Sequence, residues 1–179
     1  MRKIVDEVTD VCGFGDGADF SFDTMNKLKY THCVALEALR LHPPVTNDPR
    51  YARQDSQLPD GTVTMKGLGI DLCFYAMGRK EEIWGSDALQ FKPERFLNKK
   101  EPSAFKFPMF NAGPRMCLGR SLALMNMKLT MAILLTSNLQ FDDNDVHSGD
   151  YTWSLVQSMK DGFPVHVSSS RDTNEAQHY

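Results

Sequence analysis

The chain has 179 residues, enough for one compact domain and short of two. Hydrophobic residues make up 41% and charged residues 24%, the balance of an ordinary globular chain. A net charge of −3, with Lys92, Arg95, Lys99 and Lys100 interleaved with acids, argues against a nucleic-acid-binding face.

Residues 1–12 place Ile4, Val5, Val8, Val11 and Cys12 at helical spacing, and Gly13 is a stop signal. Acids at Asp6 and Glu7 are unlike a secretory leader. Residues 13–19 are rich in glycine but lack the G-x-G-x-x-G spacing of a phosphate cradle, so they read as a loop. A second helix is predicted from Thr24 to Leu41 with Asp23 as its N-cap, ended by Pro43 and Pro44.

Residues 45–80 read as short strands and turns. Pro59-Asp60-Gly61 is a turn signal, and Thr62–Thr64 and Ile70–Tyr75 are strand-like. A helical turn is expected at 80–85, then an irregular Pro-, Phe- and Gly-rich segment over 86–118. A long apolar helix follows from Arg120 to Thr136. Asp142-Asp143-Asn144-Asp145 lacks the glycine and terminal glutamate of a calcium loop and reads as a solvated turn. Residues 151–167 suggest a terminal hairpin, and the polar residues 168–179 a disordered tail. No stretch approaches the roughly 18 apolar residues of a membrane-spanning helix.

Cysteines stand at positions 12, 33, 73 and 117, none in a C-x-x-C pair, which disfavours a zinc ribbon. Cys12, Cys33 and Cys73 read as buried reduced thiols. Cys117 differs, because it ends the loop Phe110-Asn111-Ala112-Gly113-Pro114-Arg115-Met116-Cys117-Leu118-Gly119 just before the long helix. A thiolate there gains from the unpaired N–H groups and positive dipole end of that helix. Gly113 and Gly119 permit backbone angles and close approach, Phe110 offers an aromatic wall, and Arg115 can meet an anionic group.

This loop resembles the F-x-x-G-x-R-x-C-x-G signature of the cytochrome P-450 family at every fixed position. The resemblance implies haem b as cofactor, Cys117 as the axial ligand of its iron and Arg115 paired with a haem propionate; thiolate ligation pushes electron density onto iron and favours O–O cleavage. It extends to Glu37-Ala38-Leu39-Arg40 and Pro93-Glu94-Arg95-Phe96, where it implies a structural charge triad of Glu37, Arg40 and Arg95 bracing the cysteine loop. Arg50 would be a further propionate contact. Val45, Thr46 and Asn47, with Leu155, Val156 and Gln157, would line the substrate cavity. The wording around Tyr75–Arg79 and Ile83–Gly85 looks most like the fatty-acid-hydroxylating branch.

The expected fold is therefore mainly α with small β-sheets (α+β), the C-terminal haem-binding portion of the P-450 fold over residues 1–167, truncated. The implied activity is a monooxygenase inserting one oxygen atom from O2 into an apolar substrate such as a fatty acid, with electrons from an NADPH-dependent reductase. A complete relative would carry an upstream acid/alcohol pair for proton delivery and an N-terminal anchor at the endoplasmic reticulum membrane. Neither is visible here, so a non-catalytic haem-binding fragment is the alternative expectation, and a plain structural domain with a buried cysteine a third.

Overall fold

The computed structural model describes residues 2–137, 139–142, 150–152, 154, 156–160, 162 and 166–169. It is helix-rich with small antiparallel sheets, as expected of part of a P450 fold. Helix α1 (Arg2–Cys12) buries Ile4, Val8 and Cys12, three positions four residues apart on one face. Gly13 ends it with φ +83°, a left-handed turn that glycine adopts without cost.

The expected second helix is two helices, α2 (Phe22–Lys27) and α3 (Lys29–Leu41). Asp23 is not the N-cap: Ser21 is, its Oγ accepting from the Thr24 N–H at 3.4 Å, while Asp23 lies inside the first turn. The chain breaks at Leu28, whose ψ of 93° leaves the helical region and buries its side chain. The break frees the first N–H groups of α3, and the Glu7 carboxylate of α1 takes them. Lys29 N, Tyr30 N and Thr31 N donate to it at 2.8, 2.7 and 2.7 Å, and Thr31 Oγ1 at 2.8 Å.

After α3 the chain forms β1 (Asn47–Tyr51), β2 (Ser56–Gln57), β3 (Val63–Thr64) and β4 (Gly69–Cys73). Strand β1 pairs antiparallel with β4, Asn47 opposite Cys73 and Tyr51 opposite Gly69; β2 pairs with β3 around the Pro59-Asp60-Gly61 turn. The strand expected through Tyr75 stops at Cys73, because Phe74 turns into the core and starts the short helix α4 (Phe74–Met77). Cys73 is accordingly half-buried, not buried. A further helical turn, α5 (Glu81–Trp84), and three 3-10 turns at Pro93–Arg95, Pro108–Phe110 and Gly113–Arg115 lead to helix α6 (Arg120–Thr136).

Two apolar clusters meet along α6. One joins α3 to the irregular segment through Leu36, Leu39, Phe96, Phe107 and Leu124; the other joins α1, α2 and α6 through Val8, Met25, Leu28 and Ala132. Trp84, Phe96 and Phe107 pack edge to face or tilted, with centroids 5.6–6.0 Å apart. The C-terminal part is two ladders, not one hairpin. Strand β6 (Tyr151–Thr152) pairs with β7 (Ser158–Met159), and β8 (His166–Ser169) returns to β5 (Leu139–Asp142), the strand directly after α6. Residues 143–149 and 170–179, and with them most of the acidic turn and the expected tail, lie outside the described residues. Among the described residues no helix is long and apolar enough to cross a membrane.

Candidate functional site

The loop before α6 is shaped by its own backbone. Asn111 adopts φ +63° and Gly113 φ +62°, so the chain reverses twice between the turns at 108–110 and 113–115. Asn111 caps itself, its Oδ1 accepting from Ala112 N at 2.9 Å. The Cys117 amide then donates to the Phe110 carbonyl at 2.8 Å and closes the loop. Gly119 is the N-cap of α6 and offers no side-chain cap, so the first N–H groups of a 17-residue helix open beside the loop. A Cβ on Gly119 would sit 3.8 Å from the Cys117 sulfur, in ordinary contact. The strained glycine of the pair is Gly113.

The Cys117 thiol is exposed. Around it Met116 is 50%, Leu122 66% and Leu118 fully exposed, an apolar surface with no protein cover among the described residues. Arg115 is exposed, and no described residue accepts a hydrogen bond from it. The guanidinium of Arg120 lies 5.7 Å from the centre of the Phe110 ring.

Arg50 stands on β1 and is engaged by protein: Nη1 pairs with Asp48 and donates to the Pro49 carbonyl at 3.0 Å. Its Nε and Nη2 make no hydrogen bond to described residues. The other oxygen of Asp48 accepts from Asn111 Nδ2 at 2.8 Å, tying β1 to the cysteine loop. Neither Asp48 nor Asn111 stood out in the sequence. An asparagine in a glycine-rich turn, a residue tolerant of positive φ, was the available signal.

The structure brings Glu37, Arg40 and Arg95 together. Glu37 and Arg40 are fully buried and paired through two bonds, Nε to Oε2 at 2.7 Å and Nη2 to Oε1 at 2.8 Å. Arg95 Nε reaches Glu37 at 3.0 Å, and Lys92 N adds 2.7 Å. Arg40 also donates to the carbonyls of Gly78, Ala88 (2.6 Å) and Gln90 (3.0 Å). Arg95 donates to Asp87 Oδ1 at 3.1 Å and to the Asp87 carbonyl at 2.9 Å, a partner sequence reasoning missed. Every charge is met, which a buried cluster requires. Burial works against the Glu37 anion, but the bonds from Arg40, Lys92 and Arg95 outweigh it and hold the carboxyl below its ordinary range. The cluster reaches the cysteine loop through packing: the Arg40 guanidinium lies 5.2 Å from the Trp84 ring centre, and Trp84 packs on Phe107, which leads into the 108–110 turn.

The two segments expected at a substrate cavity are neighbours. Gln157 N donates to the Pro44 carbonyl at 2.6 Å, beside Val45 and Thr46. Thr46 accepts from Tyr75 N at 3.2 Å, and Asn47 Nδ2 donates to Asp71 at 2.6 Å. Val45 and Val156 are exposed. Leu155 lies outside the described residues.

Residues 1–161 match the cytochrome P450 family. Cytochrome P450 CYP94D109 of Paris polyphylla is 39% identical over 174 residues, covering 93% of this chain and 35% of that protein. Cytochrome P450 704B1 of Arabidopsis thaliana is 40% identical over 166 residues, covering 91% of this chain and 30% of that protein. The alkane hydroxylase MAH1 of Arabidopsis thaliana is 37% identical over 153 residues, with 83% and 30% covered. The chain spans about a third of the length of the curated relatives it matches. With its cysteine loop set at the head of α6 and nearly its whole length matched, the chain belongs to the cytochrome P450 family, whose cofactor is haem b.

Proposed function

We propose that this chain forms the cysteine-bearing side of a haem-thiolate monooxygenase that inserts one oxygen atom from O2 into an unbranched aliphatic substrate such as a fatty acid. The observation that carries the reading is the exposed Cys117 thiol at the head of α6, set in an apolar surface beside an unpartnered arginine. Those residues fit haem b: a soft anionic ligand for iron, apolar side chains for the ring and cations for the propionates. Bound there, haem would supply the iron at which O2 is activated.

The chain's own residues hold and tune that position. The bond from Cys117 N to the Phe110 carbonyl and the uncapped start of α6 hold the Cys117 sulfur where it would meet iron. Arg115, with the free Nε and Nη2 of Arg50, would neutralise carboxylates at the edge of the ring. The Glu37–Arg40–Arg95 cluster acts on structure alone, through Trp84 and Phe107. Val45, Thr46, Asn47, Val156 and Gln157 are the candidate substrate contacts, with Leu155 by sequence position. The name of one relative, an alkane hydroxylase, supports an aliphatic substrate. Electrons would come from an NADPH-dependent reductase, and the full-length protein would sit at the endoplasmic reticulum membrane.

Haem titration tests the reading. The protein should bind haem and, reduced under carbon monoxide, show the strongly red-shifted Soret band of thiolate ligation. Equal haem uptake by Cys117→Ala, or a histidine-type spectrum, would refute it. A second reading, a haem-binding piece without turnover of its own, has the exposure of Val45, Leu118 and Val156 in its favour. NADPH-dependent hydroxylation of a fatty acid by this chain with a reductase excludes that second reading.

A further inference from the structure

The buried stripe of α6 runs Leu124, Lys128, Ala132, Thr136, so a lysine occupies a core position in an otherwise uncharged row. Lys128 is 6% exposed. Its ammonium carries three N–H donors and makes one hydrogen bond, to the Met25 carbonyl at 2.7 Å. No described carboxylate lies within ion-pairing distance of it. Burial disfavours its charge, and the carboxylate that acts on it from a distance, Glu7, has its oxygens already taken by four donors at the head of α3. A buried cation without an anion is costly, and such groups are ordinarily paired.

Lys128 lines an open pocket of about 490 Å³ between α2, the first turn of α3 and residues 96–98. The polar side chains around it are Asn26 and Lys29 at the rim, half-buried His32, and Asn98. None of these four side chains makes a hydrogen bond to a described residue, and no carboxylate lines the cavity. Asn98 is held at φ +54°, which few residues other than asparagine and glycine adopt readily. Burial, with Lys128 and Arg120 nearby, lowers the readiness of His32 to protonate, and only Glu101, itself paired with Arg120, opposes this.

We propose that this cavity binds a small oxyanion, a phosphate or carboxylate group, with the Lys128 ammonium as its anchor and Lys29, His32, Asn26 and Asn98 as further donors. The site is separate from the cysteine loop and does not depend on haem. Binding would satisfy the idle N–H groups of Lys128 and make a favourable site of a buried charge that is otherwise unmatched.

The test titrates the full chain with inorganic phosphate and, separately, with acetate, at ionic strength held constant with chloride. Thermal stability and the side-chain NMR signals of Asn26, Asn98 and His32 are followed. A saturable rise in Tm, with those signals moving at the same midpoint, is expected for at least one anion. Phosphate alone acting identifies a tetrahedral ligand, acetate alone a carboxylate. Lys29→Ala and His32→Ala should each weaken binding by about tenfold, the size of one charge-assisted bond. Lys128→Met should abolish it while leaving the anion-free protein no less stable. If that variant does not fold, the Lys29→Ala and His32→Ala titrations decide. No saturable response beyond chloride in the parent chain, or unchanged midpoints in both alanine variants, overturns the proposal.

Discussion

Asn111 Nδ2 donates to Asp48 Oδ2 at 2.8 Å, joining residues 63 positions apart and fastening the cysteine loop to strand β1. The same carboxylate holds Arg50, so one acid orients both the loop and the candidate propionate contact. Asn111→Leu removes the bond and puts a branched side chain at φ +63°. The variant should lose about 1–3 kcal/mol in urea unfolding and release haem faster. An unchanged midpoint with unchanged haem release means the link does not position the loop.

Glu37→Ala leaves Arg40 charged and fully buried without its counter-ion. The expected loss is about 3–5 kcal/mol, enough to leave little folded protein at 37 °C. The carboxyl is held below the usual glutamate value of 4.5, so the unfolded chain takes up this proton more readily than the folded one. Its stabilisation is therefore complete above pH 4.5 and disappears as pH falls through the lower folded value. Acid unfolding of Glu37→Gln should lack this component, and identical acid profiles for the two proteins would count against it.

Gly78 is required by close approach and not by its backbone angle. A Cβ there would lie 2.1 Å from the Arg40 carbonyl oxygen and 3.2 Å from its carbon. Gly78→Ala should cost about 3 kcal/mol or more, because two main-chain segments must separate. Gly17, with nothing within 4 Å of its would-be Cβ, is the control, and Gly17→Ala should stay within about 0.5 kcal/mol of the parent. Equal melting temperatures for the two variants would contradict the packing.

Glu7→Ala strips the head of α3 of the carboxylate that accepts four of its hydrogen bonds. A loss of about 2 kcal/mol is expected, with faster hydrogen exchange at Lys29, Tyr30 and Thr31. Glu7→Gln keeps one acceptor and should fall between. Exchange at those three amides as slow in Glu7→Ala as in the parent would show the cap to be idle.

Local patterns were readable where local physics governs. The bounds of α6, Arg120 to Thr136, follow from a long, mainly apolar segment free of proline and glycine that starts directly after Gly119. The end of α3 before Pro43-Pro44 follows from proline sterics. The break at Leu28 was not readable, because the carboxylate that makes two helices tolerable comes from Glu7, more than twenty residues earlier. The pairing of β8 with β5 was hidden for the same reason: alternation marks strands but does not name their partners. At the site, Cys117, Arg115, Glu37, Arg40 and Arg95 were legible through resemblance. Asp48 and Asp87 belong to no motif and gain their roles only from the folded arrangement, and Asn111 is marked only by its place in a glycine-rich turn. Lys128 lies on a long apolar helix without any motif to single it out, and only its burial reveals it as a core residue.

The hydrogen bonds of Arg40 have a consequence for assembly. Its guanidinium is met by oxygens from residues 78, 88 and 90, all supplied by chain that follows Arg40 by at least 38 positions. Without that stretch Arg40 keeps its Glu37 partner but leaves three donor contacts unmet, which works against burial of this face of α3. Full burial of Arg40 and docking of the 78–95 stretch are therefore one coupled event, not two independent ones.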